Sequence, residues 1–452
     1  MFSKKQRSPV TSSSLGRHKS PIKAAINDTI SPIVSTVRTY GIMDGTLHFH
    51  PYSITSINSS SLAPRFSYNP FVRGPIIGMN RLSHTAFQLS TPLYYPDHVT
   101  NPSMLVFGQI GQRKSTFVKI YALRHSYFGV PPYIIDPKGE YDNFAKSLGI
   151  PIVNPSQDGL TPLAKVPGLG AIDQAVKRAE FLEALVELYQ NRPLTLSEQH
   201  AILGLCKRLD NIDLPILDDV ISRAASNDIT LPPELDPAPM PQALSNIVSA
   251  LVLCRDELGH VLNVRPNAQS QLARTSGLVV DISEWKGESR RFPAILMSAM
   301  AWLTPQLYTP RAKLLVLDEA WAALRYEPFV RWLQSNLKLA RSYALSTILV
   351  THSPHNLGSQ SATGTASSKI AESLLTEFGT FVVFHLPHED LRTLTNYQFQ
   401  NWELDWIADS RVTTPGSAYV KLGELRGLLD MLVTEDELRI CDTDVAMRSA
   451  VI

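Results

Sequence analysis

The residues best placed to do chemistry are Gly108, Gly111, Lys114 and Ser115, in the run Gly108-Gln109-Ile110-Gly111-Gln112-Arg113-Lys114-Ser115-Thr116. In a Gly-x-x-x-x-Gly-Lys-Ser/Thr loop, backbone N–H groups cradle phosphates, the lysine reaches the terminal phosphates and the hydroxyl holds Mg²⁺. One position departs: Arg113 stands where the second glycine belongs. A Cβ there crowds the phosphates or strains the backbone by ~1–3 kcal/mol. Its guanidinium fork can equally bind phosphate. Weakened, altered and normal nucleotide binding all stay open, and the survival of Lys114, Ser115, Asp318 and Glu319 favours retained binding.

The second motif is Lys313-Leu314-Leu315-Val316-Leu317-Asp318-Glu319-Ala320. Beside a phosphate loop, Asp318 would fix the Mg²⁺ shell and Glu319 would orient the attacking water, because phosphoryl transfer is mostly positioning and electrostatics. Alone, two acids after an apolar strand only mark a helix start favoured by the dipole. Together the motifs point to an ATPase using ATP and Mg²⁺, with Lys114 and Glu319 catalytic and Ser115 and Asp318 as metal ligands. A third run, Ile134-Ile135-Asp136-Pro137-Lys138-Gly139-Glu140-Tyr141, breaks a buried strand into a turn whose acids either cap the next helix or serve catalysis.

Positioning these residues requires strands that end on one edge. Short, nearly continuous apolar runs alternate with helical segments from Ser103 onward, the pattern of a parallel sheet covered on both faces. Strands are expected at Met104 to Phe107, Pro132 to Ile135, Ile152 to Val153, Leu278 to Val280, Leu314 to Leu317, Thr347 to Val350 and Thr380 to His385. Helices are expected at Thr116 to Tyr127, Arg291 to Leu303, Glu327 to Arg341 and Ser368 to Phe378. Right-handed crossovers then gather the motif-bearing loops at the strand carboxyl ends. About residues 170–270 have helical spacing instead, with Ala175, Ala179, Leu182, Val186 and Tyr189 on one face and a capping box at Thr195 to Glu198. They read as an inserted helical subdomain of a 101–452 domain. Residues 41–100 read as a small β-rich lead-in, and 1–40, with seven Lys and Arg against Asp28, as a flexible basic tail.

Composition bounds the alternatives. The 452 residues are 44% hydrophobic with a formal net charge of +1, which suits a large folded core and excludes a uniformly basic nucleic-acid binder. Three separated cysteines exclude a disulfide framework and suit a reducing cytoplasm. No apolar run is long enough to span a bilayer. No Gly-x-Ser-x-Gly elbow is present, and His352, His355, His385 and His388 form two His-x-x-His pairs whose spacing could ligate a metal if the two strands were neighbours, although no cysteine or paired acid completes a clear site.

With these motifs in this order, joined by Leu317-Asp318-Glu319-Ala320-Trp321, Lys338-Leu-Ala-Arg341 and Leu349-Val350-Thr351-His352, the chain resembles the FtsK/HerA superfamily of P-loop ATPases over about residues 95–400. It is most similar to the ATPases of conjugative transfer and type IV secretion. The resemblance implies a RecA-like core and a homo-oligomeric ring, expected to be a hexamer. It implies cytoplasmic docking at the inner membrane face through membrane-embedded partner subunits, with DNA a further partner. It implies that Asp136 lies near the nucleotide and that Thr351 or His352 senses the terminal phosphate. An arginine acting across a subunit boundary is also implied, with Arg341 and Arg274 as candidates. A DNA translocase proper and a non-hydrolysing nucleotide-binding scaffold, the latter because of Arg113, remain the alternatives.

Overall fold

The structure, a computed structural model, describes residues 69–441 except 213, 265–276, 286, 288, 320–321, 325, 353–373, 375, 392–393 and 396–397. The basic tail, the lead-in before residue 69, Arg274, His355 and most of the expected helix at Ser368 to Phe378 lie outside the described residues. One 11-stranded sheet runs through the molecule in the order β2-β1-β11-β10-β9-β3-β8-β7-β4-β6-β5. Its parallel part comprises β3 (Met104–Phe107), β4 (Pro132–Asp136), β5 (Ile152–Val153), β6 (Leu278–Asp281), β7 (Lys313–Leu317), β8 (Leu345–Val350) and β9 (Thr380–Val383). β3, β4, β7, β8 and β9 are buried at every residue, as strands covered on both faces must be.

The other part of the sheet is antiparallel and closes on the chain's two ends. β10 (Ser417–Leu422) pairs with β9 and with β11 (Leu425–Met431), and β11 pairs with β1 (Ile76–Asn80), which pairs in turn with β2 (Thr85–Gln88). The described part of the β-rich lead-in is therefore an edge of the main sheet, because β1 finds its partner in β11 near the other end of the chain.

Helices cover both faces. α1 (Lys114–Tyr127) and α2 (Asp142–Leu148) follow β3 and β4; α3 (Ala171–Gln190), α4 (Leu196–Arg208), α5 (Leu217–Ala225) and α6 (Met240–Leu262) form the expected insertion. Thr195 accepts from Glu198 N and Glu198 reaches back to Thr195 N, so the capping box forms as its spacing predicts. α7 (Arg291–Leu307) precedes β7, and α8 (Glu327–Ala340) follows it. α8 gives way at Arg341 to the 3₁₀ turn Arg341–Tyr343, so the helix expected through Arg341 ends one residue early. Near the end, α9 (Asn401–Ala408) precedes β10 and α10 (Glu435–Cys441) packs on α1 and α2. β9 stops at Val383, short of the expected His385, because the chain leaves the sheet to flank the phosphate loop, where His385 O accepts from Gln109 N at 3.1 Å. Among the described residues no helix is long and apolar enough to cross a membrane.

Candidate active site

The phosphate loop leaves β3 at Gly108, where side-chain space is closed. A methyl group there would sit 2.6 Å from Phe384 Cβ. Gly111 takes φ +82°, a left-handed conformation natural to glycine, at the exposed apex beside Ile110. Gln109 N donates to His385 O and Gln112 N to Gln109 O, so the loop is braced by the segment after β9 and by itself. Arg113 takes φ +67°, ψ +29° as the N-cap of α1, which explains the glycine expected at this position. Arginine adopts the same backbone at a strain of order 1–2 kcal/mol, with its side chain exposed. α1 starts at Lys114, two residues before the helix expected from Thr116, so its first-turn N–H groups face the loop and form an anion-binding terminus.

Lys114 is buried and turned inward. Its Nζ donates to Gln109 O at 2.9 Å and lies 3.2 Å from His352 Nδ1. Burial pulls its pKa down to about 8, against the opposing pull of Glu319. Because the ammonium can only donate, His352 Nδ1 accepts and the imidazole proton resides on Nε2. That nitrogen lies 3.0 Å from Glu319 Oε1, and Lys138 Nζ lies 2.7 Å from the same oxygen. The strand order explains this convergence. Glu319 follows β7, His352 follows its neighbour β8, Lys138 follows its other neighbour β4, and Lys114 follows β3 beside β8.

The two carboxylates diverge in protonation. Burial would raise Glu319, but the hydrogen bonds from His352 and Lys138 outweigh it and hold the carboxyl at about 2. Asp318 is 2% exposed and burial, reinforced by the Glu319 charge, pushes it up to about 6. Tyr141 Oη donates to Asp318 Oδ2 at 3.3 Å, and Glu319 N donates to Asp318 Oδ1 at 3.0 Å.

Asp136 is spent on its own turn. Oδ1 accepts from Lys138 N at 3.0 Å and Gly139 N at 2.9 Å, and Oδ2 accepts from Tyr141 N at 3.0 Å. Burial raises its pKa while these bonds oppose the rise. It thus shapes the turn that carries Lys138 and Tyr141, two site residues that the motifs contain but that sequence reasoning left unassigned. Thr351 N donates to Val106 O, and its Oγ1 is buried with no protein partner. Ser115 is half-buried and Thr116 buried on the first turn of α1. Arg341 lies elsewhere: Lys313 Nζ, at the start of β7, donates to Tyr343 O in the same 3₁₀ turn, which puts the Arg341 backbone at the amino-terminal sheet edge, opposite Asp318. No cluster of three or more His, Cys, Asp or Glu able to hold a metal exists among the described residues, and His385 Nδ1 instead lies 3.3 Å from Thr413 Oγ1.

The residues present fit a nucleotide phosphate. The loop offers a closed glycine floor at Gly108, an open apex at Gly111 and a buried cation weakened by desolvation, with an orphaned buried hydroxyl at Thr351 nearby.

No protein-family model matches the sequence, and no curated protein does either. Solved structures do match in fold. VirB4 of Thermoanaerobacter pseudethanolicus aligns at 17% identity with a TM-score of 0.60, over 81% of this chain and 98% of that one. The plasmid coupling protein TrwB in complex with ADP and Mg²⁺ aligns at 16% identity with a TM-score of 0.55, over 80% of this chain and 90% of that one. TrwB in complex with an ATP analogue aligns at 15% identity with a TM-score of 0.52, over 82% and 97%. The α/β architecture of this chain is thus a RecA-like P-loop fold, shared with VirB4 and TrwB.

Proposed function

We propose that this chain is an ATP-hydrolysing motor subunit of a conjugative transfer or type IV secretion machine, energising the passage of DNA or protein. The observation that carries the reading is the convergence of Lys114, Asp318 and Glu319 at one sheet edge, with Lys114 and Glu319 linked through His352. Its fold-level support is the likeness to the plasmid coupling protein TrwB, which was solved with ADP and Mg²⁺. Bound MgATP would supply the phosphoanhydride bond and the charge neutralisation of its phosphates. Gly108 to Thr116 would cradle the phosphates and Lys114 would exchange Gln109 O and His352 for them. Ser115 and Asp318 would hold the metal, whose charge would keep Asp318 ionised. Glu319, ionised at neutral pH, would orient and polarise the attacking water. Arg341 would act on a neighbouring subunit of a ring, consistent with its place at the opposite sheet edge. Docking at a membrane would be through partner subunits.

Steady-state ATP hydrolysis, with and without single- and double-stranded DNA, tests this reading. Lys114→Ala and Glu319→Gln are each expected to lower turnover by roughly 100-fold or more. Wild-type turnover unaffected by either change would overturn it. DNA stimulation would favour a translocase proper. A second reading, a nucleotide-binding scaffold without turnover, draws on the left-handed Arg113 and on the double restraint of Glu319. It predicts nucleotide binding by the wild type with turnover appearing only in Arg113→Gly.

A further inference from the structure

We infer that Lys138 is a positioning residue for Glu319, holding the carboxylate in the orientation the hydrolytic step needs; this rests on the ATPase reading above. Glu319 sits at φ +50°, an uncommon backbone for a non-glycine residue, at the point where β7 ends. Its carboxylate is oriented from outside its own segment, by Lys138 on one side and His352 on the other, both on Oε1. The lysine is itself fixed. Three backbone N–H groups, among them that of Lys138, close on the Asp136 carboxylate. Ile282 N donates to Asp136 O at 2.9 Å, so the start of the turn is also tied to the segment after β6. Two charge effects follow. Lys138 offsets the repulsion between the adjacent carboxylates Asp318 and Glu319, and burial, which would weaken the ammonium, is outweighed by its bond to Glu319, so that its pKa is raised. A lysine serving only as a surface ion pair would contribute little to stability and nothing to turnover.

The test compares Lys138→Ala, Lys138→Arg and Asp136→Asn in the full chain. Lys138→Ala is expected to lower kcat for ATP by about 10- to 100-fold, the cost of a misplaced reacting group, with KM changed less than about twofold. Lys138→Arg should recover much of the loss by keeping the cation, whereas Asp136→Asn should lower kcat in the same sense because an amide nitrogen cannot accept from the turn. A kcat for Lys138→Ala equal to that of the wild type, or a loss confined to KM, overturns the inference. A melting-temperature cycle of Lys138→Ala against Glu319→Gln reads the pairing without hydrolysis, and coupled shifts are expected. If the wild type binds ATP without turning it over, the ATPase reading fails, and the cycle decides on Lys138 alone: coupled shifts sustain the clamp and additive shifts overturn it.

Discussion

The side chain of Arg113 lies against Gly416. A methyl group on that glycine would come 3.7 Å from Arg113 Cδ and 3.9 Å from Nη1, and Gly416 N reaches Gln112 O at 3.4 Å. Met431 N in turn donates to Gly416 O at 3.0 Å, so the β10–β11 hairpin buttresses the phosphate loop directly. The residue that breaks the glycine pattern therefore has a packing role beyond its backbone strain.

Removing the side chain separates those roles. Arg113→Gly relieves a left-handed residue and is expected to gain about 1 kcal/mol from the backbone, less the lost contact. Arg113→Ala keeps the strain and loses the contact. Thermal melting should rank the glycine variant above the alanine variant, and the reverse order would refute the strain argument.

At Gly108 the constraint is steric. Gly108→Ala places a methyl 2.6 Å from Phe384 Cβ and is expected to weaken binding of a fluorescent ATP analogue by at least about tenfold. Because the clash is with a β-carbon and Gly108 also takes φ +153°, a backbone that side-chain-bearing residues rarely adopt, Phe384→Ala should not rescue it. Rescue by the alanine would show the loop failing for another reason.

His125, on α1, gives a pH dependence of stability. Its Nδ1 lies 2.7 Å from Tyr121 O, its Nε2 is buried without a partner, and burial lowers its pKa from 6.5 to about 4. The unfolded chain therefore binds the proton first. The contribution of neutral His125 is complete above pH 6.5 and is lost as pH falls towards 4, amounting to roughly 3 kcal/mol. Chemical denaturation between pH 7 and 4 should show this slope in the wild type and lose it in His125→Ala.

Arg124 ties three elements together. Its guanidinium bonds both carboxylate oxygens of Glu437 at 2.7 and 2.8 Å, and also Ile76 O and Leu432 O at 2.6 Å each. Arg124→Ala leaves a largely buried carboxylate and two carbonyls without that partner, and a loss of about 2–4 kcal/mol is expected. Lysine cannot reproduce the fork. Denaturation midpoints of both variants, with proteolysis around Glu435–Cys441, check this; full rescue by Arg124→Lys would contradict it.

The parallel strands were legible because burial on both faces leaves near-continuous apolar runs such as Met104–Phe107 and Lys313–Leu317. The insertion was legible because Ala175 to Tyr189 repeat at helical spacing. The antiparallel half was not, since pairing between β1 and β11 leaves no local signature. One signal was present: Gly423-Glu424 between β10 and β11, with Gly423 at φ +54°, is a two-residue hairpin loop. In the site, Lys114, Asp318 and Glu319 followed from spacing, whereas Lys138 and Tyr141 did not, because their partners lie far along the chain and only the strand order brings β4 beside β7.

The pairing of Gly78 with Met431 and of Asn80 with Leu429 has a consequence for synthesis. The phosphate-loop motif and the Asp318-Glu319 motif are both translated before β11, the strand that pairs with β1. A ribosome releasing a product cut before Leu425 would deliver the whole phosphate loop with Asp318 and Glu319, yet leave β1 with a bare edge and the loop without its buttress. Such a fragment would carry these motifs in its sequence and yet expose an unpaired strand edge open to association with other chains.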